Sequence, residues 1–96
     1  MSDTLIYVAQ PIGTRITVLA FRKRFTLEER VALEKRARED AMIRVFLDDV
    51  AAATYIDLTD SDLRECLEAA AILGVLEVTR VDEILDKSVR SEELPE

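Results

Sequence analysis

The chain has 96 residues, 49% of them hydrophobic and 34% charged, the composition of one ordinary globular domain. A net charge of −7 weighs against a nucleic-acid protein, whose affinity rests on neutralising phosphates. The absence of histidine removes the commonest general base and the commonest transition-metal ligand.

The charge is unevenly spread along the chain. Residues 1–25 carry four bases and one acid, a net of +3; residues 26–50 carry five and seven, a net of −2; residues 51–96 carry four and twelve, a net of −8. Unequal ends suit head-to-tail contact between copies, or docking on a charged partner. Two glycines and two prolines supply little turn material and argue for helices over many short strands. Cys66 has no internal partner for a disulfide, which fits a reducing compartment. Met1–Ser2–Asp3 opens with an acid where a signal peptide has bases, so no secretory leader is expected. The longest apolar run, 69–76, falls far short of the ~20 residues that span a bilayer.

In chain order, the first candidate element is Thr4–Leu5–Ile6–Tyr7–Val8–Ala9, rich in β-branched and aromatic residues and read as a strand or extended arm. Gln10–Pro11–Ile12–Gly13 is a turn signal. Residues 14–25 are compatible with a strand, on the alternation Ile16, Val18, Ala20, and with a short helix over 17–24 that turns Leu19, Phe21 and Phe25 inward. The helix is the preferred reading. Thr26–Leu27–Glu28–Glu29 is a capping box and starts a helix that runs to about Arg38, with Leu27, Val31, Ala32, Leu33 and Ala37 as its apolar set. Asp40 caps a third helix over 41–53. Its wide stripe of Met42, Ile43, Val45, Phe46, Leu47, Val50 and Ala51 marks it as central.

Thr54–Leu58 interrupts that helix with β-branched residues. Thr59 is the expected cap of a fourth helix, 60–73, with Leu63, Cys66, Leu67, Ala70, Ala71 and Leu73 inward. Gly74 is expected in the left-handed conformation at its C′ position. Thr79 is the expected cap of a last helix, 80–88, whose inner face is Val81, Ile84 and Leu85. Residues 89–96 read as a flexible acidic tail. The fold class is therefore mainly α: a small single-domain bundle of about four to five short helices (14–88), with an N-terminal extended arm (1–13) and the tail.

Few residues suggest chemistry. Cys66 sits at an inward helical position, which favours a buried structural thiol over a nucleophile. Asp57, Asp60 and Asp62 resemble part of a calcium loop, and Glu68 falls at its twelfth position. The sixth position, where such a loop needs glycine, is Asp62, and capping with solvation is the preferred reading. No enzyme activity, cofactor or metal is expected. The most unusual local feature is Phe21–Arg22–Lys23–Arg24–Phe25, three bases between two aromatics. On a chain this acidic it reads as a surface that pairs with acidic helices, in this chain or a neighbour, in preference to one that holds single-stranded nucleic acid. Phe21, Arg22, Lys23 and Arg24, with Leu5, Ile6, Tyr7 and Val8 of the arm, are the candidate protein-binding residues.

Three segments carry a resemblance: LAFRKRFTLEERVALE at 19–34, VFLDDVAAATYIDLTD at 45–60 and ILGVLEVTRVDEIL at 72–85. Together they resemble a family of small proteins encoded by tailed phages and prophages. The shared pattern is an FRxRFTxxE start (Phe21, Arg22, Arg24, Phe25, Thr26, Glu29), a central helix ending in alanines, an Ile56–Asp57–Leu58 corner with Asp60, and a closing Gly74–Val75–Leu76, Arg80, Glu83–Ile84–Leu85. Glu77–Val78 departs from it, where the pattern has small residues. The resemblance implies a virion structural component, tail-associated, made in the host bacterial cytoplasm. It would contact other phage structural proteins and further copies of itself, with no nucleic acid and no membrane as partner, and it brings no catalytic residues. The alternative reading is an acidic phage-encoded regulator or inhibitor that binds a host protein.

Overall fold

Most helix boundaries in this chain follow from capping chemistry that the local sequence supplies. The computed structural model describes residues 14–95. The first described segment is a two-residue strand, β1 (Arg15–Ile16), followed at once by helix α1 (Val18–Lys23). The Thr17 hydroxyl accepts the Ala20 amide at 3.0 Å and so starts α1. The preferred helix is thus formed over Val18–Lys23, whereas the strand alternation Ile16, Val18, Ala20 is not, since Val18 and Ala20 are helical and only Arg15–Ile16 is a strand. The arm expected over 1–13, with Leu5, Ile6, Tyr7 and Val8, lies outside the described residues.

Helix α2 (Leu27–Ala37) opens on the expected box. The Thr26 hydroxyl accepts the Glu29 amide at 3.0 Å, and the Glu29 carboxylate accepts the Thr26 amide at 2.8 Å. Thr26→Ala removes one of these bonds and should lower stability by about 1 kcal/mol. Thermal unfolding will read this as a drop in Tm of roughly 4–8 °C for a domain of this size; an unchanged Tm would show that the box contributes nothing.

Asp40 caps α3 (Ala41–Ala52), accepting the amides of Met42 and Ile43. After β2 (Ile56–Asp57), helix α4 (Ser61–Ile72) is capped by Asp60, not by Thr59. The reason is local: both the amide and the hydroxyl of Thr59 donate to Asp57 Oδ1, at 3.0 and 2.7 Å. Thr59 is thereby held in an Asx turn, and the next residue is left to cap. Gly74 has φ +82°, and α4 ends in a full Schellman motif. The Val75 amide donates to the Ala70 carbonyl at 2.9 Å and the Gly74 amide to that of Ala71 at 3.0 Å, the two bonds that define the motif. Helix α5 (Val78–Asp86) starts at Glu77 with no side-chain cap, two residues before the expected Thr79.

β1 and β2 pair antiparallel, Arg15 opposite Asp57 and Ile16 opposite Ile56, and the Arg15 guanidinium lies 4.6 Å from the centre of the Tyr55 ring. This small ribbon ties the start of the described chain to the α3–α4 connection. Helix α2 packs along α3 and α4 along α5. The most fully buried large side chains are Ile16, Phe21, Ile43, Leu67 and Ile84, drawn from β1, α1, α3, α4 and α5. One core is thus assembled from nearly every segment, in a mainly helical domain as its composition predicts.

Three expectations are corrected by packing. The apolar set expected inside α2 divides: Leu33 and Ala37 are buried, whereas Leu27 and Val31 are exposed. At 100° per residue, the Leu27/Val31 pair lies roughly 120° around the helix from the Leu33/Ala37 pair. The stripe on α3 is also narrower than expected. Ile43, Phe46 and Val50 are buried, but Met42 and Val45 face solvent, so α3 buries one face and leaves the other to solvent. The expected tail is docked as well. Ser91–Glu93 forms a 3-10 turn against α1, and Glu93 is buried.

Candidate functional site

The cluster at 21–25 was the leading candidate for a binding surface, and folding divides it. Phe21 and Phe25, four residues apart, meet edge to face with ring centres 5.2 Å apart and an 82° angle between planes. Both are buried. They belong to the core. Arg24 is also turned inward. Its guanidinium forks onto the Glu93 carboxylate at 3.0 and 2.9 Å, and its Nη1 donates to the carbonyls of Ile84 and Lys87 at 2.7 and 3.0 Å. Those carbonyls close the C-terminal end of α5, where orphan acceptors and the negative end of the helix dipole favour a cation. Only 3% of the Arg24 side chain and 6% of that of Glu93 is exposed. Arg24 therefore joins α1, α5 and the chain end within one molecule. The reading of the cluster as pairing with an acidic segment of the same chain describes this residue; its assignment to a partner surface does not hold. Lys23 is exposed and Arg22 is half-buried beside a groove.

A second arginine does the matching work at the other end of α5. Arg80 forks onto Glu29 at 2.7 and 3.0 Å, reaches Glu83 at 2.8 Å and donates to the Arg24 carbonyl at 2.9 Å. Glu29 thus serves both the α2 capping box and the α5 clamp. The Arg80 hydrogen bonds hold its carboxyl below the usual range; partial burial opposes them, and the Thr26 amide, the Arg80 charge and the Thr26 hydroxyl add to them.

With these groups assigned to structure, the surface resolves into two features of opposite sign. The first is an open groove of about 490 Å³ along α2, bounded by α1 and α3, a size typical of clefts that take a ligand or a few side chains. Phe21, Phe25, Leu33, Leu47 and Val50 lie at its apolar floor, and the stranded pair Leu27 and Val31 lines it. Arg22, Arg30, Lys35 and Arg38 also line it, and among the described residues none of the four has an ion-pair partner. Its one acid, Glu34, is already engaged by Arg44 at 3.4 Å.

The second feature is the α4–α5 hairpin. Ile72 is 85% exposed and Val78 73%, beside a shallow surface lined by Glu68, Ala71, Val81 and Asp82. Here the acids outnumber the bases. Arg64 is spent on Asp82 and Asp86, and among the described residues Glu68 and Glu77 have no basic partner.

The Cys66 thiol is pushed up, first by burial and then by Asp62, Asp49, Glu65 and Asp60, the opposite of what a nucleophile needs. Asp57, part of the calcium-like run, is held below its usual value by the Thr59 hydroxyl and amide. Among the described residues no group of three or more Cys, Asp or Glu side chains is placed to hold a metal ion, and no helix is long and apolar enough to cross a membrane.

Sequence reasoning overlooked the groove because Leu27 and Val31 were assigned to the core. A signal was present: Leu27, Val31 and Arg38 recur on one helical face, separate from Leu33 and Ala37. Comparison with protein-family models, curated proteins and solved structures finds no match to this chain.

Proposed function

We propose that this chain is a non-enzymatic assembly protein of a tailed-phage virion, tail-associated, that acts through protein–protein contacts. The observation that carries the contact reading is the α2 groove, an apolar floor lined by four cations that no acid of the described chain neutralises. Apolar contact area with unpaired charge at its margin is the arrangement that steers and then holds a protein partner. The virion assignment comes from the resemblance at 19–34, 45–60 and 72–85. Its partners are other virion proteins and further copies of the chain, with no nucleic acid, membrane or cofactor. The net charge of −7 supports the exclusion of nucleic acid, because affinity there rests on neutralising phosphates.

A second reading, a phage regulator that binds a basic patch on a host protein, is favoured by one observation. A hollow beside Cys66 is lined by Asp49, Asp57, Asp60 and Asp62 and by no base. One experiment separates the two. Particles banded from a lysate of the source culture, washed in high salt and analysed by mass spectrometry, should retain the chain at a fixed ratio to the other tail proteins. Its absence from washed particles, together with its recovery on a host protein, would replace the first reading with the second.

A further inference from the structure

We infer that the protein associates head to tail with a second copy of itself: the α2 groove of one copy receives the Ile72–Val78 projection of the α4–α5 hairpin of the next. This rests on the reading of the chain as an assembly component and names its partner. Three observations point to it.

Both surfaces offer apolar contact. The groove has an apolar floor, while Ile72 is the most exposed large apolar side chain of the described chain and Val78, beside it on the hairpin surface, is also among the most exposed.

The charges are complementary. The unpaired cations Arg30, Lys35 and Arg38 line the groove, and the unpaired acids Glu68 and Glu77 flank the projection. Folding therefore leaves cations of α2 and acids of the α4–α5 hairpin on separate surfaces, where internal pairing would have cancelled them. Two copies meeting groove to groove would oppose like charges, which disfavours a two-fold dimer through this surface.

Finally, the two surfaces share no residue. Such a contact is heterologous: each copy uses its groove once and its projection once, so copies add in series and either close into a ring or continue as a filament.

The test is sedimentation of the full chain and of two surface variants, Val31→Glu in the groove and Ile72→Glu on the projection, each checked for folding by circular dichroism. Wild type should self-associate with increasing concentration, roughly tenfold more weakly in about 0.5 M salt than in about 0.05 M. Each variant alone should be monomeric. An equimolar mixture should form a 1:1 heterodimer and stop there, because one variant keeps its projection and the other its groove. A wild type that stays monomeric, a mixture that fails to pair, or self-association that survives Ile72→Glu would overturn the inference. So would tight binding of a single-stranded oligonucleotide that is lost when Arg30, Lys35 and Arg38 become Ser, since the groove would then serve nucleic acid. Monomeric protein that is nonetheless retained on washed particles would sink self-association and leave the assembly reading intact; self-association of a chain never found on particles would do the reverse.

Discussion

Arg24→Ala is expected to destabilise the protein by about 3–5 kcal/mol, the cost of leaving one member of a buried ion pair without its partner. A domain of this size has roughly 5–15 kcal/mol in total, so chemical denaturation should show a midpoint near the limit of folding. The size of the effect follows from how much one guanidinium satisfies. It neutralises Glu93, buried beneath the chain end, and it closes the carbonyls of Ile84 and Lys87 at the end of α5. Removing Arg24 strands a carboxylate and two acceptors together. Replacing both partners by apolar residues, Arg24→Met with Glu93→Leu, should recover much of the loss, because the stranded charge is gone. A double variant as unstable as Arg24→Ala would show that the α5 carbonyls, and not the charge on Glu93, dominate.

The same pair sets the acid limit of stability. Burial pushes the Glu93 carboxyl up, but the Arg24 fork, the Arg90 amide and the charges of Arg24 and Arg90 together outweigh it, and its pKa is lowered from 4.5. Glu29 is lowered from the same value by Arg80. The unfolded chain therefore binds more protons at these two sites than the folded chain does, so stability rises with pH through this range. Their contribution is complete above about pH 4.5 and is lost as pH falls through the lower folded values. Urea titrations at pH 7 and pH 3.5 should show a clear loss for wild type and a smaller one for the Arg24→Met, Glu93→Leu variant. An equal loss in both would mean that other carboxylates govern acid unfolding.

Phe21→Ala carries the other large effect, about 3–5 kcal/mol for removing a fully buried aromatic side chain. Phe21 is 1% exposed and stacks edge to face on Phe25, so truncation opens a cavity and removes an aromatic pair together. The informative control is Leu27→Ala. Leu27 was expected in the core and is instead 72% exposed, so its truncation should change stability by less than about 0.5 kcal/mol. Comparable losses at both positions in equilibrium denaturation would return Leu27 to the core and remove the groove.

These contrasts separate what a linear reading reaches from what it does not. The Thr26–Glu29 box, the Asp40 cap and the left-handed Gly74 were legible because each is a hydrogen bond or backbone preference settled within a few residues. The inner face of α5 was legible because Val81, Ile84 and Leu85 leave a single apolar stripe. Where two local partners competed, the reading slipped by a residue or two, as when the Asp57 carboxylate claimed Thr59 and left Asp60 to cap α4. On α2 the sequence offers two apolar pairs on different faces, and only the position of α3 decides that Leu33 and Ala37 go inside while Leu27 and Val31 line a groove. The role of Arg24 lay furthest out of reach. Its partner Glu93 is 69 residues away, in a stretch whose polar composition reads as a solvated tail. An acid there costs little to leave in water unless the fold brings a buried cation to it. The sequence by itself determined the helices and the unequal charge of the two ends; only the tertiary structure decided which bases were consumed inside the molecule and which were left facing out, because that choice depends on contacts whose loop-closure entropy the packed core must first offset.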